Sequence, residues 1–272
     1  MDYVPHFQRE VQAFTTVIRT VAQSGEAPMV PSCPEWSMAD LALHLGMVHR
    51  YVTHVIRERS STAPEHDDPS IYNPPADRTG WPIPGQTPHR GPLPTALVDY
   101  CVEGAATLTS VFATTDPSEK VWTWSPEQTV GFWLRMQTIE AAIHRWDAEN
   151  TITPPTPIHP ELAADAVTQT FEVMAPARRI WTQAPPGDGE RYIFRQTDGP
   201  STWTVTFDGP DVHMSVSSGV DRPASPGGAE VALAGTASDL MLVLWHRLPA
   251  EQLEVSGDKA LVERYFVLVP PV

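Results

Sequence analysis

The sequence is poor in cysteine and lysine, which limits the sites and partners that it can have. Among 272 residues there are two cysteines, Cys33 and Cys101, and no C-x-x-C pair. A disulfide framework is therefore not expected, and both thiols are interpreted as small buried hydrophobic groups. Only Lys120 and Lys259 are lysines, and the formal net charge is −15. Because such a surface repels polyanions on average, neither nucleic acid nor an anionic membrane is expected as a partner.

Several common motifs are absent as well. No Gly-x-Gly-x-x-Gly or Walker A sequence offers a cradle for a nucleotide, and the missing Gly-x-Ser-x-Gly disfavours a serine hydrolase. No apolar run approaches the roughly 18 residues of a membrane span. The opening residues, MDYVPHFQREVQAF, are charged throughout and lack the apolar core of a signal peptide. These absences predict a soluble, cytoplasmic protein.

Proline, in contrast, is abundant. The chain has 29 prolines, well above the usual share of roughly 5%, so it cannot be uniformly helical. Nine tryptophans and eight phenylalanines nevertheless indicate packed cores. The prolines crowd into residues 60–94, a segment too long for an ordinary loop, and we interpret it as a functional lid or a mobile insertion.

Apolar residues at helical spacing predict four helices in the first half of the chain. Their approximate ranges are 7–22, 37–59, 93–113 and 130–149. The second helix has a clear beginning, since Ser37 is followed by Asp40 at the position of a capping box. Four amphipathic helices within residues 1–157 are typical of a four-helix bundle.

The pattern changes in the second half, residues 158–272. A helix is predicted first, followed by segments whose polarity alternates with a period of two and then by further helices. The helix covers 161–179, and the strands cover 192–196, 202–207, 212–216 and 230–234. A second helix begins at Thr236, and a last helix passes through Leu261 and Tyr265. This half is predicted to be a small domain with an antiparallel sheet, which makes the fold class α+β.

Three residues on the second and fourth predicted helices could form one site. Glu140 and His144 are four residues apart, which places both on one helical face, and His44 shares the apolar face of its own helix. Taken separately, Glu140 and His144 could be a surface ion pair, and His44 could be a core histidine. Together, facing inward, they are a two-histidine, one-carboxylate ligand set with open positions for a divalent metal. His49 and His54 fall on other faces and are interpreted as surface residues or as neighbours of the ligands.

The residues around these ligands resemble a known family. CPEWSMADLALHLGMVHRYV (33–52) and IEAAIHRWDAE (139–149) are similar to the two metal-site motifs of the DinB-like, mycothiol-dependent maleylpyruvate isomerase family. GTASDLMLVLWHRLPAEQLEVSGDKALVERY (235–265) is similar to the small α/β domain that follows the bundle in that family. The resemblance implies a DinB-like bundle that binds a divalent metal through residues matching His44, Glu140 and His144. Zinc is expected first, with nickel, iron or manganese as alternatives.

The same resemblance implies a function. Mycothiol would be the thiol cosubstrate, and the expected enzyme is a mycothiol-dependent S-transferase or isomerase whose thiolate attacks an electrophilic small molecule. Arg247 is expected to be catalytic, and Arg78 and Arg90 of the lid are expected to bind the cofactor. The alternatives are a thiol-independent metal hydrolase or lyase and a non-catalytic binding protein. The chain is expected to be a monomer or a homodimer.

Overall fold

The structure, a computed structural model, describes residues 1–218 and 230–271. The chain divides into two compact units, Met1–Thr156 and Pro157–Val272. Each unit has its own core and is described by itself.

The N-terminal unit consists of four long helices and one short one, and the predicted bundle is confirmed. The helices are α1 (Tyr3–Ser24), α2 (Met38–Arg57), α3 (Pro69–Tyr72), α4 (Thr95–Thr114) and α5 (Val130–Ile152). Helix α1 packs against α4 and α5, and α2 packs against the same two helices. Among the helices of the described residues, only α4 is long and apolar enough to cross a membrane. Half of its apolar stretch is buried inside the unit.

Helix α2 begins with the predicted capping box. The Ser37 hydroxyl accepts a hydrogen bond from the Asp40 amide, and the Asp40 carboxylate accepts one from the Ser37 amide at 2.8 Å. The same carboxylate oxygen also accepts the amide of His89, at 2.8 Å. One buried carboxylate therefore fixes both the start of α2 and the end of the proline-rich segment.

The proline-rich segment 60–94 is irregular as predicted, apart from the single turn α3. Its Trp81 is buried and packs edge-on against Tyr100 of α4, with ring centroids 5.1 Å apart. The Tyr100 hydroxyl also donates to the Tyr72 carbonyl at 2.8 Å. Tyr100 thus attaches the segment to the bundle at two points.

Helices α2 and α4 approach closely at Gly46, two residues beyond His44. A Cβ atom at this position would lie 2.9 Å from the Tyr100 ring and 3.4 Å from the Cα atom of Cys101. Glycine is required at position 46 because a side chain there would push against the Tyr100 ring and the backbone of α4.

Cys101 of α4 is buried, as expected, and burial raises its pKa to about 12.

The C-terminal unit combines helices with one five-stranded sheet. Its elements are α6 (Pro160–Gln169), a π-helical turn (Thr170–Met174), α7 (Ala175–Trp181), β1 (Gly187–Gln196), β2 (Ser201–Gly209), β3 (Asp211–Ser218), β4 (Glu230–Gly235), α8 (Ala237–Leu244), β5 (Glu254–Gly257) and α9 (Ala260–Leu268). The helix predicted over 161–179 is thus divided by a π turn. That turn ends at Met174, two residues before Pro176, whose ring cannot be accommodated in a regular helical interior.

The sheet corrects one prediction. Its strand order is β3-β2-β1-β4-β5, and β1, β2 and β3 form the expected antiparallel meander. Strand β4, however, pairs with β1 in parallel, from Arg191 opposite Glu230 to Gln196 opposite Gly235, so the sheet is mixed. Strand β5 was not predicted, because its four mostly exposed residues are too few to establish an alternation of polarity.

Candidate metal site

The three predicted ligands meet at one place in the N-terminal unit. His44 comes from α2, Glu140 and His144 come from α5, and one ligand atom of each lies within 4.8 Å of the other two. His44 Nε2 is 3.0 Å from Glu140 Oε1, and the two imidazole rings are 5.1 Å apart and nearly perpendicular. The His144 ring is 9% exposed and that of His44 is 30% exposed, so the group is open to solvent on the α2 side.

Glu140 is held as an anion. Its second oxygen, Oε2, accepts a hydrogen bond from the Gln137 side-chain amide at 2.7 Å. Burial raises the pKa of Glu140, but the hydrogen bond to His44 and the charges of the neighbouring histidines outweigh it and bring the pKa to about 2. A carboxylate ionised at neutral pH is the form that binds a cation.

His144 has a carboxylate partner that the sequence analysis missed. Its Nδ1 atom is 2.9 Å from Asp147 Oδ2, and the Asp147 side chain is fully buried. Asp147 also accepts a hydrogen bond from the Ser32 hydroxyl at 2.6 Å and lies 3.7 Å from the Cys33 thiol. The available signal was the spacing of three residues between His144 and Asp147, which places both on one side of α5.

Trp36 and His49 lie near the group, an interpretation that the sequence offered only for His49. The Trp36 ring lies 4.9 Å from the His44 ring and 6.2 Å from the His144 ring, so it lines the site besides packing at the start of α2. His49, interpreted from its helical face as a surface residue or a neighbour of the ligands, is only 1% exposed. Its ring meets Phe7 of α1 at 5.5 Å, because α2 is enclosed by helices on several sides. His54 is half-buried at the end of α2.

The donor set fits a divalent metal. Two imidazole nitrogens and one carboxylate oxygen are ligands that zinc, nickel, iron and manganese accept, and three protein ligands leave positions open for a further ligand. The carboxylate that holds Nδ1 of His144 is the kind of partner that ligating histidines have in metalloproteins.

The two predicted lid arginines have contacts outside this group. Both side chains are exposed. The Arg78 carbonyl accepts the Trp81 amide at 3.0 Å, and the Arg90 guanidinium is 3.8 Å from the Met29 sulfur. Within residues 1–218 and 230–271 neither arginine has a hydrogen bond or ion pair to the three ligands.

Arg247 belongs to the C-terminal unit, in the turn after α8. Its guanidinium donates to the Trp245 carbonyl at 2.9 Å. Together with His246, Glu263 and Phe266 it lines an open cavity of about 440 Å³. The neighbouring His246 has a left-handed backbone with φ 60°, and its Nε2 donates to the Val269 carbonyl at 3.2 Å. Burial lowers the pKa of His246 to about 4, so its ring is neutral at pH 7.

Comparisons with known proteins agree on one family. Residues 7–149 match the family described as "Mycothiol maleylpyruvate isomerase N-terminal domain", and residues 161–264 match "MDMPI C-terminal domain". Two crystal structures of mycothiol-dependent maleylpyruvate isomerase, one of them a point mutant, are similar to the chain. Each has a TM-score of 0.59 and 15% sequence identity, over 94% of this chain and 93% of the other. No curated protein matches the chain. Because the two family matches together span most of both units, the chain belongs to the mycothiol maleylpyruvate isomerase family.

Proposed function

We propose that the protein is a mycothiol-dependent, divalent-metal S-transferase or isomerase that acts on an electrophilic small molecule. The observation that carries the proposal is the grouping of His44, Glu140 and His144 on two packed helices, with ligand atoms within 4.8 Å of one another. The family match supplies the thiol, and the two similar structures are named for a mycothiol-dependent isomerase.

The proposed metal ligands are His44, Glu140 and His144, with zinc as the first expectation and nickel, iron or manganese as alternatives. When bound, the cation would supply Lewis acidity, which keeps a thiol deprotonated at neutral pH. Such activation is needed because the thiolate is the nucleophile, and a thiol with the ordinary pKa of about 8.5 is mostly protonated at pH 7.

The chain's own residues have separate parts in this proposal. Glu140 contributes the one negative charge of the three proposed ligands, so these ligands and a divalent cation together would carry a net positive charge, which attracts a thiolate. Trp36 covers one side of both histidines and would shield the thiol from water. Arg247, Arg78 and Arg90 are proposed to bind carboxylates of the substrate or of the cosubstrate, as guanidinium groups do through paired hydrogen bonds.

The metal claim is tested by removing one ligand. Purified wild-type protein is expected to contain about one divalent metal per chain, and His44→Ala is expected to lose it, since two ligands hold a metal poorly. The matched control is His54→Ala, which truncates another half-buried histidine of the same helix. Elemental analysis by mass spectrometry measures all three proteins. Equal metal content in His44→Ala and the wild type would refute the site.

The thiol claim needs its own assay. Metal-loaded protein is mixed with mycothiol and a panel of electrophiles, among them cis-configured unsaturated diketo acids, and consumption of each electrophile is followed by absorbance. We expect turnover that depends on mycothiol and fails in His44→Ala. Metal-dependent turnover without any thiol would instead establish the hydrolase or lyase, and metal binding without turnover would favour the non-catalytic alternative.

A further inference from the structure

We infer that Asp147 is a positioning residue for the site and that the loop before α2 positions Asp147 in turn. Asp147 would fix the ring of His144 with Nε2 available to the metal, so the inference rests on the proposed metal site. The residues of the loop that matter are Ser32, Cys33 and Trp36.

The first step is the contact between His144 and Asp147. Nδ1 of the imidazole lies 2.9 Å from Oδ2 of the carboxylate. An ionised carboxylate can only accept, so Nδ1 must carry the proton and the neutral ring has its lone pair on Nε2. A metal binds that lone pair. The Asp147 contact therefore selects both the tautomer and the rotation of the ring.

The second step is the setting of Asp147 itself. Its side chain is completely buried, and a buried carboxylate is costly unless its oxygens are hydrogen-bonded. The Ser32 hydroxyl donates to Oδ1 at 2.6 Å, and the Cys33 thiol lies 3.7 Å from Oδ2. Both donors come from more than a hundred residues away along the chain, so the tertiary structure fixes the carboxylate in addition to its contact with His144 on the same helix.

The third step is that one loop reaches both histidine ligands. Ser32 and Cys33 hold the carboxylate behind His144, and Trp36 lies against the rings of His44 and His144. The loop ends at Ser37, the N-cap of the helix that carries His44. Loop 32–37 thus connects the ligand of α2 with the ligands of α5, and its hydrogen bonds set the orientation of His144 before any metal binds.

The experiment compares metal affinity and ring tautomer in four proteins: wild type, Asp147→Asn, Ser32→Ala and Thr151→Ala. Thr151 is the matched control, since its hydroxyl donates to the backbone carbonyl of Asp147 at 3.0 Å and does not touch the carboxylate. Each protein is stripped with a chelator, and Zn²⁺ affinity is measured by competition with a chromophoric chelator. The His144 tautomer of each stripped protein is read from two-dimensional ¹H–¹⁵N spectra of the imidazole nitrogens.

We expect Asp147→Asn to weaken Zn²⁺ binding by about 10- to 100-fold, the usual effect of losing such a partner. Ser32→Ala should weaken it by a smaller factor, and it keeps the inference testable if Asp147→Asn fails to fold. Thr151→Ala should match the wild type. In the stripped wild type, His144 should be protonated at Nδ1, and this preference should be lost in Asp147→Asn.

Two outcomes would overturn the inference and are distinguishable from failure of the proposed function. One is wild-type zinc affinity in both Asp147→Asn and Ser32→Ala. The other is a wild-type His144 protonated at Nε2. Absence of zinc binding in the wild type, with the Nδ1 tautomer observed, would refute the metal site but leave the positioning of His144 by Asp147 established.

Discussion

A buried ion pair holds α5, the helix that carries two of the three proposed metal ligands, against α1. Arg145, next to His144, is 3% exposed, and its Nε donates to Glu10 Oε2 of α1 at 2.8 Å. Glu10 is equally buried. Nη1 of the same guanidinium donates to the Glu149 carboxylate at 2.9 Å and to the Thr156 carbonyl. Glu149 is 15% exposed. Glu10→Gln keeps the shape of the side chain and removes the buried charge that Arg145 requires.

The expected cost follows from this geometry. Removing one partner of a buried pair typically costs about 3–5 kcal/mol, because the other charge stays buried without compensation. We expect a loss of about 3 kcal/mol, the lower end, since Glu149 remains as a second partner of Arg145. For a unit of this size that corresponds to a decrease in Tm of roughly 6–12 °C.

Calorimetry of the full chain measures this change as a shift of the transition of the N-terminal unit. The control is Glu119→Gln, which breaks an ion pair with Arg59, a residue 72% exposed, and should cost at most about 1 kcal/mol. If Glu10→Gln shifted the transition no more than Glu119→Gln does, the reasoning from burial would be refuted.

Two further predictions concern other buried polar groups. Within the part of the chain that the structure describes, both ring nitrogens of His49 are buried without a hydrogen-bond partner, and the ring packs on Phe7. His49→Leu should therefore leave the free energy of unfolding unchanged or raise it by about 1 kcal/mol. A loss above about 2 kcal/mol in urea denaturation would contradict this. Burial raises the pKa of Glu190, but a 2.8 Å hydrogen bond from Arg264 and backbone amides lower it below its ordinary 4.5. A lowered pKa in the folded state adds stability above pH 4.5 that is lost as the pH falls through the folded value, so acid should destabilise the C-terminal unit less in Glu190→Gln than in the wild type. Denaturant midpoints at pH 6 and about pH 3 measure the difference, and equal acid sensitivity would contradict it.

The parts of the fold that sequence analysis predicted are those governed by local spacing. The four helices of the bundle follow from apolar periodicity, and the start of α2 follows from Ser37 and Asp40. The meander β1–β3 follows from alternating polarity and turn residues. The parallel pairing of β4 with β1 could not be predicted, because alternation shows which face a residue occupies and not the direction of its neighbouring strand.

The candidate site divides in the same way. Glu140 and His144 share a face because a helix repeats every 3.6 residues, so their sequence spacing alone was sufficient to pair them. Of the two interpretations of His49, surface residue or neighbour of the ligands, its burial excludes the first, because a helical wheel does not show how many neighbours enclose a helix. Nothing in the sequence indicated that Ser32 and Cys33 contact Asp147, since they lie more than a hundred residues from it along the chain. Cys33, interpreted as a small buried hydrophobic group, is half-buried, and its thiol lies 3.7 Å from the Asp147 carboxylate.

By itself, then, the sequence determined the helices, the pairing of Glu140 with His144 on one face of α5 and the motifs that place the chain in its family, because each depends on residues close together in the chain. Only the tertiary structure decided that His44 meets that pair and that Asp147 lies behind His144 with Ser32 and Cys33 against it. The physical reason is that these contacts depend on the packing of α2 against α5 and on the course of the loop before α2. Both are set by burial across the whole unit, which no local pattern records.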